Sequence, residues 1–185
     1  MEAVRQDVHT EADYYALPDD RRVELIDGAF YDMASPGLTH HRISRQLSFT
    51  IERYIKDNRG TCEVFEAFDV KLFPDRDDTI VEPDILVVCD RDKLTERRVE
   101  GPPDWIIEIA SPGNYQNDYL RKLELYLRGG VREYWIVNPE KQVVSVYDLE
   151  HKELVPSLYD FNSDIFSLIY PNLKVRIADF LTDNE

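Results

Sequence analysis

The sequence predicts an α/β or α+β domain, with one mixed β-sheet and helices packed against it. Three observations predict it. The elements read in the order hairpin, helix, several strands, helix, strands. Apolar runs such as "ILVV" (85–88) and "WIIEI" (105–109) have strand length, and the second reads as a strand buried on both faces. The chain of 185 residues, 43% of them hydrophobic, is long enough to build a substantial core, so residues 1–185 are taken as a single domain.

Each element has its own local reason. Thr10 is placed to cap a short helix through "EADYYAL", closed by Pro18. "VELIDGAFYDM" (23–33) places two short runs around Asp27-Gly28, a two-residue hairpin signal. From 39 to 57, Ile43, Leu47, Ile51 and Ile55 recur every fourth residue, and Phe49 and Tyr54 broaden that stripe into an amphipathic helix. Strand-like material follows at 62–73 and 79–89, then a charged connection through Arg91–Glu100, then "GPPDWIIEIASP". Asn117 or Asp118 can start the second helix, which Gly129-Gly130 ends. "REYWIVN" (132–138) and "QVVSVYDL" (142–149) read as two strands, in which Tyr134 and Trp135 are taken as core, and the tail as short strands with a closing turn.

Composition narrows the function. The balance of 22 basic against 37 acidic residues, net −15, repels nucleic acid over most of the surface and favours cations. The N-terminus carries no apolar signal core and no run of apolar residues is long enough to span a membrane, which predicts a cytoplasmic protein. Cys62 and Cys89 lie far apart in sequence, without a CxxC pair or zinc spacing, and read as core thiols in a reducing compartment. Gly-rich phosphate loops and a GxSxG nucleophile elbow are both absent from the sequence.

The informative residue is Glu108, set among Ile106, Ile107 and Ile109. An ionised carboxylate in such a strand is costly without a partner or a metal. Asp84 offers a second acid, following Pro83 at the head of Ile85-Leu86-Val87-Val88. If the two strands are neighbours, both acids converge on one point, where a proton or a cation must sit between them. Mg²⁺ suits such a place, since it takes one or two carboxylates and completes its octahedron with water. Glu24, alternating with Val23 and Leu25, is a candidate to point inward from the first strand.

"EPDILVV", then "PDWIIEIASP", then "RKLELYLRGGVREYWIVNP", preceded by "VELIDGAFYDMASP" and "HHRISRQL", resembles the Uma2 family of restriction-endonuclease-like proteins. That family falls within the PD-(D/E)xK nuclease superfamily. The likeness covers most of residues 12–150, and the ending "NLKVRIADFL" is similar to the family's last segment. The resemblance implies a restriction-endonuclease-like mixed sheet flanked by helices, with Asp84 and Glu108 as the metal-binding acids and the carbonyl of Ile109 as a further ligand. The superfamily's lysine, two residues after the glutamate, is replaced here by Ala110; the resemblance implies that Lys122 on the following helix takes its role. It also implies a supporting role for Glu24 in metal binding and for His40, with His41 as the competing histidine, and it implies a homodimer.

The activity so implied is Mg²⁺- or Mn²⁺-dependent endonucleolytic hydrolysis of nucleic-acid phosphodiesters, with DNA, RNA and a small phosphodiester all open as substrate. A basic rim from Arg42, Arg45, Arg53 and Lys56 on one helix and Arg121, Lys122 and Arg128 on the other would reconcile this with the net charge. The rival reading is a non-catalytic binding or assembly protein on a nuclease scaffold, which the acidity favours and the retained acids and lysine oppose.

Overall fold

The computed structural model describes residues 8–18, 20–111 and 115–181. The chain opens with a short helix α1 (Glu11–Tyr15), where Thr10 and Asp13 form a reciprocal capping box. The hairpin β1 (Val23–Ile26) and β2 (Ala29–Asp32) comes next. Its turn is made by Asp27 at φ 47° and Gly28 at φ 79°, the positive dihedrals that a tight hairpin demands. The long helix α2 (Leu38–Asp57) buries Ile43, Leu47, Ile51 and Ile55, as their spacing predicts. Phe49 does not widen this stripe: it is exposed, because its position on the helix turns it away from the sheet, whereas Tyr54 is partly buried against the core.

The run at 62–73 is two strands, β3 (Glu63–Glu66) and β4 (Val70–Lys71), that join different sheets. From 79 to 89 the ladder strand is confined to β5 (Ile85–Val88), while Ile80 and Val81 make isolated bridges to Leu25 and Val70. Then come β6 (Val99–Glu100), β7 (Trp105–Ile109) and α3 (Tyr115–Gly129). Helix α3 begins ahead of Asn117 and Asp118, and the chain leaves it through Gly130 at φ 90°. The remaining strands are β8 (Glu133–Asn138), β9 (Val143–Asp148), β10 (Ser157–Asp160), β11 (Ile165–Phe166) and β12 (Lys174–Val175), with a closing 3₁₀ turn at Ile177–Phe180.

The central sheet has the order β10-β9-β8-β7-β5-β3. Strands β7 and β8 run parallel, and the other neighbours antiparallel, so the sheet is mixed. A parallel pair needs a crossover, and α3 supplies it. Alternation along the strands sends Ile85, Val87, Trp105, Ile107, Trp135 and Val137 to one face, under α2 and the C-terminal segment. Leu86, Ile106, Tyr134 and Ile136 go to the other face, under α3 and the hairpin. All of β7 and β8 is buried, which is why both read as continuous apolar runs rather than alternating ones.

The register between β3 and β5 pairs Glu63 with Val88, so the next positions outward, Cys62 and Cys89, face each other. They form a disulfide, across 27 residues of sequence. This corrects the expectation of two core thiols: antiparallel pairing brings together residues that distance along the chain had separated, and the inference of a reducing compartment from free thiols goes with it. Among the described residues, no helix is long and apolar enough to cross a membrane.

Candidate active site

Strands β5 and β7 pair Ile85 with Ile107, and this register places the two acids. One step further along the antiparallel ladder, Asp84 stands opposite Glu108. Convergence of the acids required neighbouring strands, and the sheet provides them. Glu108 comes two residues after Ile106, so it shares the face covered by α3.

Because α3 is the crossover between β7 and β8, it lies directly over that face. Lys122 and Tyr126 are four residues apart and so project from one side of the helix. Both reach the same carboxylate oxygen: Lys122 Nζ donates to Glu108 Oε1 at 2.9 Å, and the Tyr126 hydroxyl at 2.7 Å. Lys122 is only 4% exposed, so its ammonium points into the protein rather than to solvent.

Glu24 also faces the lysine. The backbone bonds between Leu25 and Ile80, 2.9 and 2.7 Å, fasten β1 beside the segment leading to Asp84. Glu24 thereby turns inward, at 3% exposure, and its Oε2 lies 2.9 Å from Lys122 Nζ. Its other oxygen accepts the Glu82 backbone N–H at 3.1 Å.

Asp84 is held from two sides. Ile109 N–H donates to Oδ2 at 2.7 Å, and His40 Nε2 lies 3.1 Å from Oδ1. His40 stands in the first turn of α2, on the opposite layer, so Asp84 at the strand end joins the two sides of the sheet. The competing His41 is exposed.

Electrostatics make this cluster demanding. Two carboxylates share one lysine, with Asp84 opposite Glu108 on the next strand, in a largely dry site. Burial, together with the charges of Asp84 and Glu24, pushes the Glu108 carboxyl up to about 8, against the opposing pull of Lys122. Tyr126 is raised well above the ordinary tyrosine range by burial and by Glu108, so it stays a donor.

Hard oxygen donors facing each other across two rigid strands suit a divalent cation. Asp84 and Glu108 are the residues that could hold it. Among the described residues no group of three or more acidic, histidine or cysteine side chains converges as a ready-made cage. An ion here would therefore draw on two side chains, backbone and water, which is the mode that Mg²⁺ prefers.

Five of the seven residues expected in a basic rim are engaged elsewhere, while Arg42 and Arg45 are exposed on α2. Helices α2 and α3 cover opposite faces of the sheet. Arg53 and Lys56 pair with Asp57 and Glu52 of their own helix, and Arg128 with Asp27. Lys122 is inside the cluster, and the Arg121 guanidinium lies over the Tyr31 ring at 3.9 Å. Arg53 also stands about 20 Å along α2 from His40, at 1.5 Å per residue.

Sequence reasoning missed Tyr126 as a member of the site. Its signal was available in the four-residue spacing from Lys122. It also missed Glu133, a fully buried acid on the other face of the sheet, which Trp135 Nε1, Ser167 Oγ and the backbone N–H groups of Leu168 and Ile169 hold in place.

A mixed sheet with facing acids at the ends of adjacent strands, and a lysine brought over them by the crossover helix, defines the restriction-endonuclease-like class. The fold is shared with a crystal structure from Anabaena variabilis ATCC 29413, described as a putative nuclease belonging to DUF820. The two align with a TM-score of 0.76 at 22% identity, covering 92% of this chain and 96% of that one. Residues 11–178 match the Uma2 family, described as putative restriction endonuclease, and the chain belongs to that family. No curated protein matches the sequence.

Proposed function

We propose that the protein is a metal-dependent endonuclease that hydrolyses phosphodiester bonds of nucleic acid, working through the Asp84–Glu108–Lys122 cluster. The observation that carries this reading is a buried lysine held at 2.9 Å from each of two carboxylates, directly beside a third acid on the neighbouring strand. A purely structural core rarely assembles so much buried charge, while a hydrolytic site requires it.

Asp84 and Glu108, with the carbonyl of Ile109, would hold Mg²⁺ or Mn²⁺. The bound ion would lower the pKa of a water and polarise a phosphoryl oxygen. The remaining roles belong to the chain itself. Lys122 and Tyr126 fix Oε1 of Glu108 and so orient its carboxylate, and Lys122 offsets negative charge as it builds on the phosphoryl oxygens. Glu24 steers the lysine. His40 and the Ile109 N–H set the rotamer of Asp84, so His40 is a positioning residue rather than a group that touches the reacting atoms.

The test is a cleavage assay in Mg²⁺ and Mn²⁺ on single-stranded DNA, duplex DNA and RNA, with Glu108→Gln as control. Slow cleavage of at least one substrate, abolished in the control, is expected. Inactivity on all three, or equal activity of the control, favours the second reading: a non-catalytic binding or assembly protein on this scaffold. The net charge of −15 is the observation that supports that alternative.

Assembly as a homodimer is part of the proposal. Strand β10 is an edge of the central sheet, and Leu154, Val155 and Leu158 beside it are exposed. An edge with unpaired backbone groups can add to its own copy about a two-fold axis.

A further inference from the structure

A cavity of about 370 Å³ opens beside the acid cluster, between the first turn of α2 and the ends of β7 and β8. His40 belongs to its wall, so the cavity adjoins Asp84 directly. We propose that this cavity receives one unpaired guanine base of the substrate, read by Asn138 and Glu140. The proposal rests on the nuclease reading and names the part of a nucleic acid that the same site grips.

Four observations lead there. The first is size: the volume lies in the range of small-ligand pockets, about 300–1,000 Å³, which accommodates one nucleotide and not a duplex. The second is the wall. Leu38, Ala110 and Pro139 give apolar surface for the faces of a base, while Asn138 and Glu140 give polar groups for its edge.

The third is the state of Asn138. It is only 8% exposed, and its Oδ1 accepts the Lys141 backbone N–H at 2.9 Å, which fixes the orientation of the amide. Its Nδ2 has no partner among the described residues. That nitrogen is not sealed in the interior, so it stays open to solvent as a donor that a ligand acceptor can meet.

The fourth is charge. Arg53, Lys56, Arg76, Arg128 and Arg132 are all engaged by acids of the chain, which leaves them poor neutralisers of a phosphate backbone. A protein of net charge −15 that binds nucleic acid must then recognise it locally, through an unpaired base, rather than along a duplex. The start of α2 contributes at one point only: its N-cap Gly37 makes no side-chain cap, so the first-turn N–H groups are available to a single phosphate.

Guanine emerges from the pattern of donors. Asn138 offers an N–H donor and Glu140 a carboxylate acceptor. Every base can meet one of each kind, but guanine alone presents two adjacent donors, N1–H and N2–H, to one carboxylate while its O6 accepts from the amide. Uracil and thymine instead flank their N–H with two carbonyl oxygens, which repel the carboxylate. The additional charge-assisted bond is the source of selectivity.

The experiment is calorimetric titration of the metal-free, full-length protein with GMP, AMP, CMP and UMP. GMP is expected to bind at least about tenfold more tightly than the others, the scale of a good bidentate base contact. Asn138→Asp keeps the oxygen that accepts Lys141 N–H but removes the donor, and Glu140→Gln alters an exposed residue, so both variants should fold. Each is expected to erase the preference, whereas Glu108→Gln should retain it. Equal binding of the four nucleotides, no binding at all, or a preference that survives both pocket variants overturns the proposal. Retained GMP preference without cleavage of any nucleic acid overturns the nuclease reading and leaves the base pocket standing.

Discussion

Lys122 shows how much one buried charge can be made to carry. Without its ammonium, Glu24 and Glu108 would face each other in a dry site, so Lys122→Ala is expected to destabilise the fold by about 3–5 kcal/mol, the cost of breaking a buried pair. Urea titration measures this, and Lys122→Ala should also slow cleavage. Glu108 adds a pH dependence. Its carboxyl moves from 4.5 in the ordinary state to about 8 in the folded one, so the folded protein binds the proton more strongly. The stability it contributes is complete below pH 4.5 and is lost as pH rises through about 8. Thermal melts of metal-free protein should therefore weaken between about pH 4.5 and about pH 8 and level off above that, with Glu108→Gln losing that slope. Melts that do not change with pH would contradict the assignment. Glu133 behaves differently, because its surroundings are donors: a Gln there turns an N–H₂ toward N–H groups. Glu133→Gln should cost about 1–3 kcal/mol in chemical denaturation without affecting metal binding.

Strand pairing turns separate elements into a site. Neither β5 nor β7 makes one alone; their antiparallel register does, by setting Asp84 opposite Glu108. The same geometry on the other side of β5 sets Cys62 opposite Cys89. Closing a loop of this length constrains the unfolded chain, so reduction, or Cys62→Ser, is expected to lower stability by about 3–4 kcal/mol. Melts with and without a reductant, alongside mass spectrometry of alkylated protein, measure it. Two free thiols and an unchanged melt would show that the bond does not form. Helix α3 illustrates the rule in another form: a crossover helix must lie on one sheet face, so residues four apart on it, Lys122 and Tyr126, must meet whatever that face displays.

For the protein taken whole, the decisive quantity is the distribution of charge. Its basic side chains are largely spent on internal ion pairs, and its two long helices lie on opposite faces of the sheet. A steep salt dependence of activity, which a continuous basic rim would give, is therefore not expected. The logarithm of kcat/KM should fall only shallowly with log salt, corresponding to one or two phosphate contacts. Assembly is testable as well. Leu158, 67% exposed on the edge strand β10, is the residue whose change to Lys should convert a sedimenting dimer to monomer.

Amino-acid order alone was enough to mark most of the elements and the two acids that face each other across β5 and β7. Four-residue spacing marked α2, Asp27-Gly28 marked the hairpin, and a carboxylate inside "WIIEI" was anomalous enough to declare itself, since burial and charge conflict wherever the strand ends up. These are local facts, decided by propensity and periodicity. Which residues meet was settled only by tertiary packing. It brought His40 rather than His41 to Asp84, turned Lys122 inward, added Tyr126, paired the cysteines and engaged five of the seven expected rim cations elsewhere. Such contacts depend on strand register and on which face a crossover helix covers, and these are set by packing the whole core at once rather than by any short stretch of the chain.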